Sequence, residues 1–182
     1  MDGGTWTMAH LRIAAPQLDD LNDLLAFEEQ NRVFFEASIN ARPPSYYCSE
    51  GVAEAIVQAQ QDAEADRGYQ FLIRQDGLLV GRVNLHRVQR HYFNCAELGY
   101  RIGERFIGRG IARTAVAQVL QRAFGELGLS RLEANARPEN IGSVRVLEAC
   151  GFSRYGHSRR SFLLHGQWFD RLHYECHGPL RP

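Results

Sequence analysis

No lysine occurs in this chain; its 21 permanently basic side chains are all arginine. That excludes the phosphate loop GxxxxGK[ST], which needs a lysine to reach the phosphates. No run of about 18 apolar residues is present, so no membrane-spanning helix is expected and no membrane partner. The opening MDGGTWTMAH has neither a basic segment nor an apolar one, and is read as carrying no secretory signal. Cysteine is scarce: four, at positions 48, 95, 150 and 176, with no CxxC spacing. A chain of 182 residues can bury a sizeable core without disulfides, so the four read as free thiols of a cytoplasmic protein. His173, Cys176 and His177 form an HxxCH run, but with no second cluster to complete it no metal is expected.

Net charge is also lacking, since 21 basic and 21 acidic residues cancel. With arginines spaced rather than clustered, nucleic acid is not the expected partner. The balance is uneven along the chain: residues 1–75 hold 5 Arg against 12 Asp or Glu, and residues 101–160 hold 11 Arg against 5 Glu. The basic part suits an anionic ligand, because guanidinium forks pair well with phosphate. The acidic first third suits a cationic ligand.

With 45% apolar and 23% charged residues, the composition is that of an ordinary globular domain, here 10–178 after a tail at 1–9 in which Met8 is an alternative start. Its centre is AELGYRIGERFIGRGIA, residues 96–112. Ala96, Leu98, Tyr100 and Ile102 alternate with Glu97, Gly99 and Arg101, which is strand periodicity. Arg105-Phe-Ile-Gly108-Arg109-Gly110 then breaks the pattern, and from Ile111 an amphipathic helix runs through Ala115, Val119, Ala123 and Leu127 to a stop at Gly128. Glycines between a strand and a helix let a ligand approach the backbone, and the free amides of the helix start favour an anion there. The dinucleotide pattern GxGxxG is not met, because Arg113 stands at its third small position.

The remaining elements follow in order. Leu11–Ala14 is a strand and Gln17–Gln30 a helix with Leu18, Leu21, Leu24, Leu25 and Glu28 on helical spacing. Residues 31–48, rich in aromatics and broken by Pro43 and Pro44, are either a loop laid on the core or a substrate-side wall through Phe34, Phe35 and Tyr47. Ser49 is the expected N-cap of a helix over 50–67. Strands are expected at 69–74 and 78–88 around a Gln75-Asp76-Gly77 turn, and at 131–136. Asn140 caps a helix over 141–150, with Gly151 in the left-handed position after it. Strands over 153–157, 162–164 and 168–176 end the chain, with a turn at 165–167.

The order β-α-α-βββ-α-β-α-ββ resembles the GNAT superfamily of N-acetyltransferases over about residues 11–177. Two motifs carry the likeness: RFIGRGIA, which fits the family's Arg-x-x-Gly-x-Gly/Ala acetyl-CoA signature, and LEANARPENIGSVRVLEACGF. AELGYRIGERFIGRGI and the ending FLLHGQWFDRLHYE, through Gly166, Trp168 and Asp170, are similar to the RimJ/RimL subfamily that acetylates ribosomal-protein N-termini. The resemblance implies an α+β fold with a mixed sheet of about seven strands flanked by four helices. It implies acetyl-CoA as co-substrate and no metal, direct attack by a primary amine, most simply a protein N-terminal α-amine, and a possible homodimer. A small-molecule amine acceptor, or a CoA-binding module without turnover, are the alternatives.

The implied cofactor contacts are Tyr100, Arg101, Ile102, Arg105, Ile107, Gly108, Arg109, Gly110, Ile111, Ala112 and Arg113, then Asn135, Asn140 and Ser143. Many relatives carry a tyrosine acid where this chain has Leu147, so that role is unfilled. Glu97 is the expected base, with burial raising its pKa, and Ser143 the group that meets the departing sulfur. His86, His91 and Tyr100 are reserves.

Overall fold

The alternating segments pair into one seven-stranded sheet in the order β1-β2-β3-β4-β5-β7-β6. A computed structural model describes residues 11–179; the expected tail at 1–9, with Met8, lies outside the described residues. The strands are β1 (Leu11–Ala14), β2 (Tyr69–Gln75), β3 (Leu78–Gln89), β4 (Cys95–Ile102), β5 (Arg131–Ala136), β6 (Ser153–Leu164) and β7 (Gln167–His177). The helices are α1 (Leu21–Gln30), α2 (Arg32–Glu36), α3 (Ser49–Glu64), α4 (Ile111–Gly125) and α5 (Ile141–Ala149). All strand pairs are antiparallel except β4 with β5, which are joined through α4 as a parallel crossover requires.

Each face of the sheet has its own core. On one face Val83, Leu85, Leu98 and Leu132 pack against Ile111, Ala115, Val119 and Leu147 of α4 and α5. On the other, Leu72 and Leu79 pack against Leu24 and Phe27 of α1 and Val52 and Ile56 of α3. Each fully buried side chain of this size contributes about 1.5–3 kcal/mol of transfer free energy.

The β4–β5 ladder is short. It runs from Cys95↔Arg131 to Leu98↔Ala134 and stops, although β4 continues to Ile102 and β5 to Ala136. β3 holds β4 on its other side as far as Gly81↔Ile102, and β7 holds β5 as far as Ala136↔Leu172. The two strands therefore part beyond Leu98 and leave a wedge edged by the backbone of Gly99–Ile102.

The mixed seven-stranded sheet is the expected one, with differences at the joints. The first helix begins as a 3-10 turn at Leu18–Asp20, and Leu18 is exposed. The aromatic stretch contains the short helix α2, additional to the four longer ones. Cys48, not Ser49, caps α3: its backbone is extended and its Sγ accepts from Gly51 N at 3.4 Å. α4 ends at Gly125 rather than running through Leu127, whose amide turns back to the Arg122 carbonyl; Gly128, at φ +65°, redirects the chain into β5. The two strand pieces expected at 153–157 and 162–164 are one strand, β6, interrupted by register shifts between Arg154 and Gly156 and between Ser158 and Phe162. Arg160 takes up φ +46° there and donates its amide to Asp170.

Gly51 tests the packing of the α3 start. Replacing a helical glycine by alanine ordinarily stabilises by up to about 1 kcal/mol. Here the new Cβ would lie 2.1 Å from the Ser45 carbonyl oxygen and 2.9 Å from the Tyr46 Cα, both backbone atoms. Gly51→Ala is expected to destabilise by about 1–3 kcal/mol, seen as a lower urea midpoint with an unchanged slope; a raised midpoint would contradict the packing.

Candidate active site

β4 delivers the chain directly into the glycine turn. Gly103 N donates to Val80 O, and Glu104 N to Asn31 Oδ1 at 2.9 Å, while Asn31 Nδ2 holds Phe27 O at 2.8 Å. The buried Asn31 thus pins the turn to the end of α1. Gly108 and Gly110 have φ of +73° and +76°, and a Cβ on either would meet nothing within 4 Å. Gly110 is the N-cap of α4 and supplies no side-chain acceptor, and the first turn of the helix holds no acidic residue. Its leading amides at Ile111, Ala112 and Arg113 are therefore uncapped beside open space. Arg105, Arg109 and Arg113 are exposed around this turn, and none has an ion pair among the described residues. Ile107 is exposed, whereas the side chains of Ile102 and Ile111 are in the core, so only their backbone faces outward.

Tyr100 and Ser143 meet on the α4/α5 side. Tyr100 Oη lies 2.9 Å from Ser143 Oγ and donates toward Ser143 O at 3.2 Å. Burial pushes the phenol up to about 12, against the lowering effect of the Ser143 hydrogen bond, so it stays protonated at neutral pH. Asn140 caps α5 as expected, its Oδ1 accepting from Ser143 N at 3.1 Å. Leu147 is buried in the core beside them.

Glu97, Gly99 and Arg101 point to the opposite face. Asn135, expected along the cofactor, also lies there: its Nδ2 donates to Glu97 Oε1 at 2.6 Å. Arg87 Nη1 is 3.0 Å from Glu97 Oε2 and His86 Nε2 is 3.5 Å from Oε1. The interaction with His86 is the largest influence on this carboxyl. It holds the pKa below the ordinary glutamate value, with the charges of Arg87 and Arg171 assisting, while burial opposes. The expected rise does not occur, because the His86 hydrogen bond and the charges of Arg87 and Arg171 outweigh desolvation. A pocket of about 250 Å³ opens beside Glu97, lined also by Glu133, Tyr155, Arg171 and His173. His91 lies apart, in the exposed turn between β3 and β4. Strand alternation puts His173 and Cys176 on opposite faces, and among the described residues no three potential ligands converge on a metal.

Of the aromatic wall, Phe35 is core, while Phe34 and Tyr47 are half-buried around it; Tyr47 carries the Arg32 guanidinium 4.2 Å from its ring. Six of the twelve acidic residues of the first third, Glu28 among them, are in ion pairs among the described residues. Asp20 and Asp23 meet Arg74, Glu36 meets Arg32, Asp62 meets Arg67 and Asp66 meets Arg90. The expected pull on a cationic acceptor is weakened accordingly.

Sequence reasoning missed a buried cluster on this same face. Glu28 of α1 is 1% exposed and receives Arg82 Nη1, Arg101 Nη1 at 3.2 Å and the approach of Arg42 Nε at 3.7 Å. Helical spacing had placed Glu28 on the inner face of its helix; nothing local announced three arginines around it.

A domain model described as an acetyltransferase (GNAT) domain matches residues 10–153. The probable N-acetyltransferase YjcK of Bacillus subtilis (strain 168) is 36% identical over 156 residues, covering 85% of this chain and 86% of that protein. In fold, the chain is similar to the ribosomal-protein-S5-alanine acetyltransferase of Vibrio fischeri, with a TM-score of 0.90 at 21% identity over 95% of this chain and 96% of that one. It is also similar to Mycobacterium smegmatis RimJ in complex with CoA-disulfide, with a TM-score of 0.85 at 24% identity over 92% of this chain and 81% of that one. By its sheet, its glycine turn and these matches, the chain belongs to the GNAT family and is an acetyl-CoA-dependent N-acetyltransferase.

Proposed function

We propose that the protein transfers the acetyl group of acetyl-CoA to the N-terminal α-amine of a protein or peptide. The observation that carries this reading is the wedge beyond Leu98↔Ala134. It has an uncapped, arginine-flanked helix start at one end and, across β4, a carboxylate held ionised on the opposite face. The amides of Ile111, Ala112 and Arg113 receive the pyrophosphate, and Arg105, Arg109 and Arg113 add charge around it. Gly108 and Gly110 give the close approach. The strand backbone of Tyr100, Arg101 and Ile102 hydrogen-bonds the pantetheine arm and polarises the thioester carbonyl.

The amine attacks the carbonyl carbon, a C–N bond forms and the C–S bond breaks, and the proton given up by the nitrogen passes through solvent to the departing thiolate. With Tyr100 donating to Ser143 Oγ across their 2.9 Å contact, the Ser143 hydroxyl proton is left to hydrogen-bond the departing sulfur. Asn140 acts through the cap that orients Ser143. Glu97 is a carboxylate throughout the neutral range, which makes it a weak proton acceptor and a strong partner for an ammonium or a developing cation. Asn135 and Arg87 fix its orientation. An α-amine has a pKa of about 8, against about 10.4 for a lysine-type amine, so it supplies the neutral nucleophile with little help. Phe34 and Tyr47, with the core residue Phe35 beneath them, border the acceptor side.

Three outcomes are expected. Thiol release from acetyl-CoA should occur with peptides beginning in Ser, Ala or Thr and not with free amino acids, polyamines or an aminoglycoside; turnover with a small amine alone would move the acceptor class. Gly110→Asp should keep the fold, since the position is open and aspartate tolerates left-handed backbone, yet abolish acetyl-CoA binding by calorimetry. Unchanged affinity would remove the pyrophosphate assignment.

The third concerns pH. Because the Glu97 pKa is depressed, its charge does not change as pH rises through neutrality, and the alkaline limb of kcat/KM belongs to the acceptor. With an α-amine it should level near pH ~8 and with a lysine-type amine continue to ~10. Glu97→Gln should lower kcat/KM without moving the limb; loss of the limb would make Glu97 the titrating base.

A further inference from the structure

Arg82 and Arg101 are register partners on β3 and β4, and their side chains share the face that carries Glu97. With Arg42 they set three guanidinium groups around the single carboxylate of Glu28. The other titratable neighbours do not offset this. Tyr46 offers a hydroxyl to Arg82 at 3.2 Å, and Glu36 is engaged by Arg32 and Tyr47.

Arg82 is buried and committed to Glu28, Tyr46 and Gln70. Arg101 and Arg42 are committed to Glu28 only in part. They lie on the solvent side of the cluster with 21% and 28% of their side chains exposed, the guanidinium carbons 5.2 Å from the Phe35 ring and 4.2 Å from the Tyr46 ring. Arg101 spends only Nη1 on a protein acceptor. Arg42 makes no hydrogen bond among the described residues, and its Nε is buried without a partner. Guanidinium groups held on aromatic faces with unused donors and an excess of positive charge are built to receive an anion.

Their position relative to Glu97 defines which anion. Glu97 and Arg101 are four residues apart on one strand face, about 13 Å along β4. Gly99 lies between them without a side chain, and its cross-strand partner is Asn84. Asn84 Oδ1 is buried and has no partner. The face therefore reads, in order, as a carboxylate, a step at Gly99 without a side chain of its own and with the His86 ring beside it, and a pair of arginines with donors to spare.

Resting on the α-amine reading above, we infer that Arg101 and Arg42 receive an acidic side chain of the acceptor, carried by the second or third residue of the peptide whose amine sits at Glu97. An extended peptide advances about 3.4 Å per residue, so residues two and three lie about 3 and 7 Å beyond the first; alternation turns one of the two toward this face, and the lengths of its side chain and of the arginines cover the rest of the gap. The α-carboxylate of a free amino acid, one carbon from its own amine, does not. A polyamine would present positive charge to the arginines.

The test compares kcat/KM, by thiol release from acetyl-CoA, for peptides identical except for Glu or Gln at residues two and three. The wild-type enzyme is expected to prefer the Glu peptides by about tenfold. Arg42→Gln and Arg101→Gln should each bring the ratio close to one, and Arg101→Lys should restore part of it. A cluster that only braces α1 against the sheet would lower both peptides alike and leave the ratio intact. Equal rates for Glu and Gln peptides in the wild type, or a ratio unchanged in both Gln variants, would overturn the inference, as would turnover confined to free amino acids.

Should no peptide be acetylated, calorimetric binding of the N-acetylated Glu and Gln peptides to the CoA-saturated enzyme decides separately. A Glu preference that Arg42→Gln removes upholds the anion subsite while the amine reading fails, and no preference overturns both.

Discussion

Cys95–Leu98 of β4 pairs with Arg131–Ala134 of β5 in parallel, and beyond Leu98 the two strands part because each is held by its other neighbour. Everything at the site depends on that parting. The backbone of Gly99–Ile102 keeps its β3 partners on one side and loses a β5 partner on the other, so its polar groups on that side are left for a ligand. The connection to α4 is short, which places the uncapped helix start at the open end of the wedge. Asn31 and the Gly103–Val80 hydrogen bond then fix the turn against α1 and β3. The glycines give access, but the divergence of two strands gives the access somewhere to lead.

The face opposite α4 is governed by charge. Burial alone would raise the Glu28 carboxyl; Arg101, Arg82 and Arg42 together outweigh it and hold the pKa below the ordinary value. Burial lowers Arg101 to about 10, still a cation at neutral pH. By linkage, a carboxyl whose pKa is depressed on folding stabilises the fold above its unfolded pKa, and the contribution is lost as pH falls through the folded value. Glu28 and Glu97 thus keep their charges through the neutral range, and this face holds a fixed electrostatic pattern while an acceptor amine titrates. The exposed pairs elsewhere, such as Arg67 with Asp62, are worth about 0–1 kcal/mol each and serve mainly to cancel the acidity of the first third.

Tyr100 and Ser143 link β4 to the start of α5. Further along α5, Leu147 is buried. A phenol reaches this helix from β4, 43 residues before Ser143, because the alternation of β4 points Tyr100 at the start of α5.

The sequence by itself determined the elements and one end of the site. Alternation defined β4 and β5, helical spacing defined α4, the Arg-x-x-Gly-x-Gly run marked the anion-ready turn, and Asn140 announced its own cap. These features are local, and each depends on residues within a few positions of one another. What only the tertiary structure decided depends on partners far apart in the chain. The sign of the Glu97 shift follows from His86 and Arg87 across the β3–β4 register. The encirclement of Glu28 needs α1, β3, β4 and the segment before Tyr46 together. The Cys48 cap and the intolerance expected at Gly51 follow from the close approach of Ser45. Pattern within a segment specifies its shape and its buried face; charge, proton affinity and room for a ligand are set by what register and packing bring alongside.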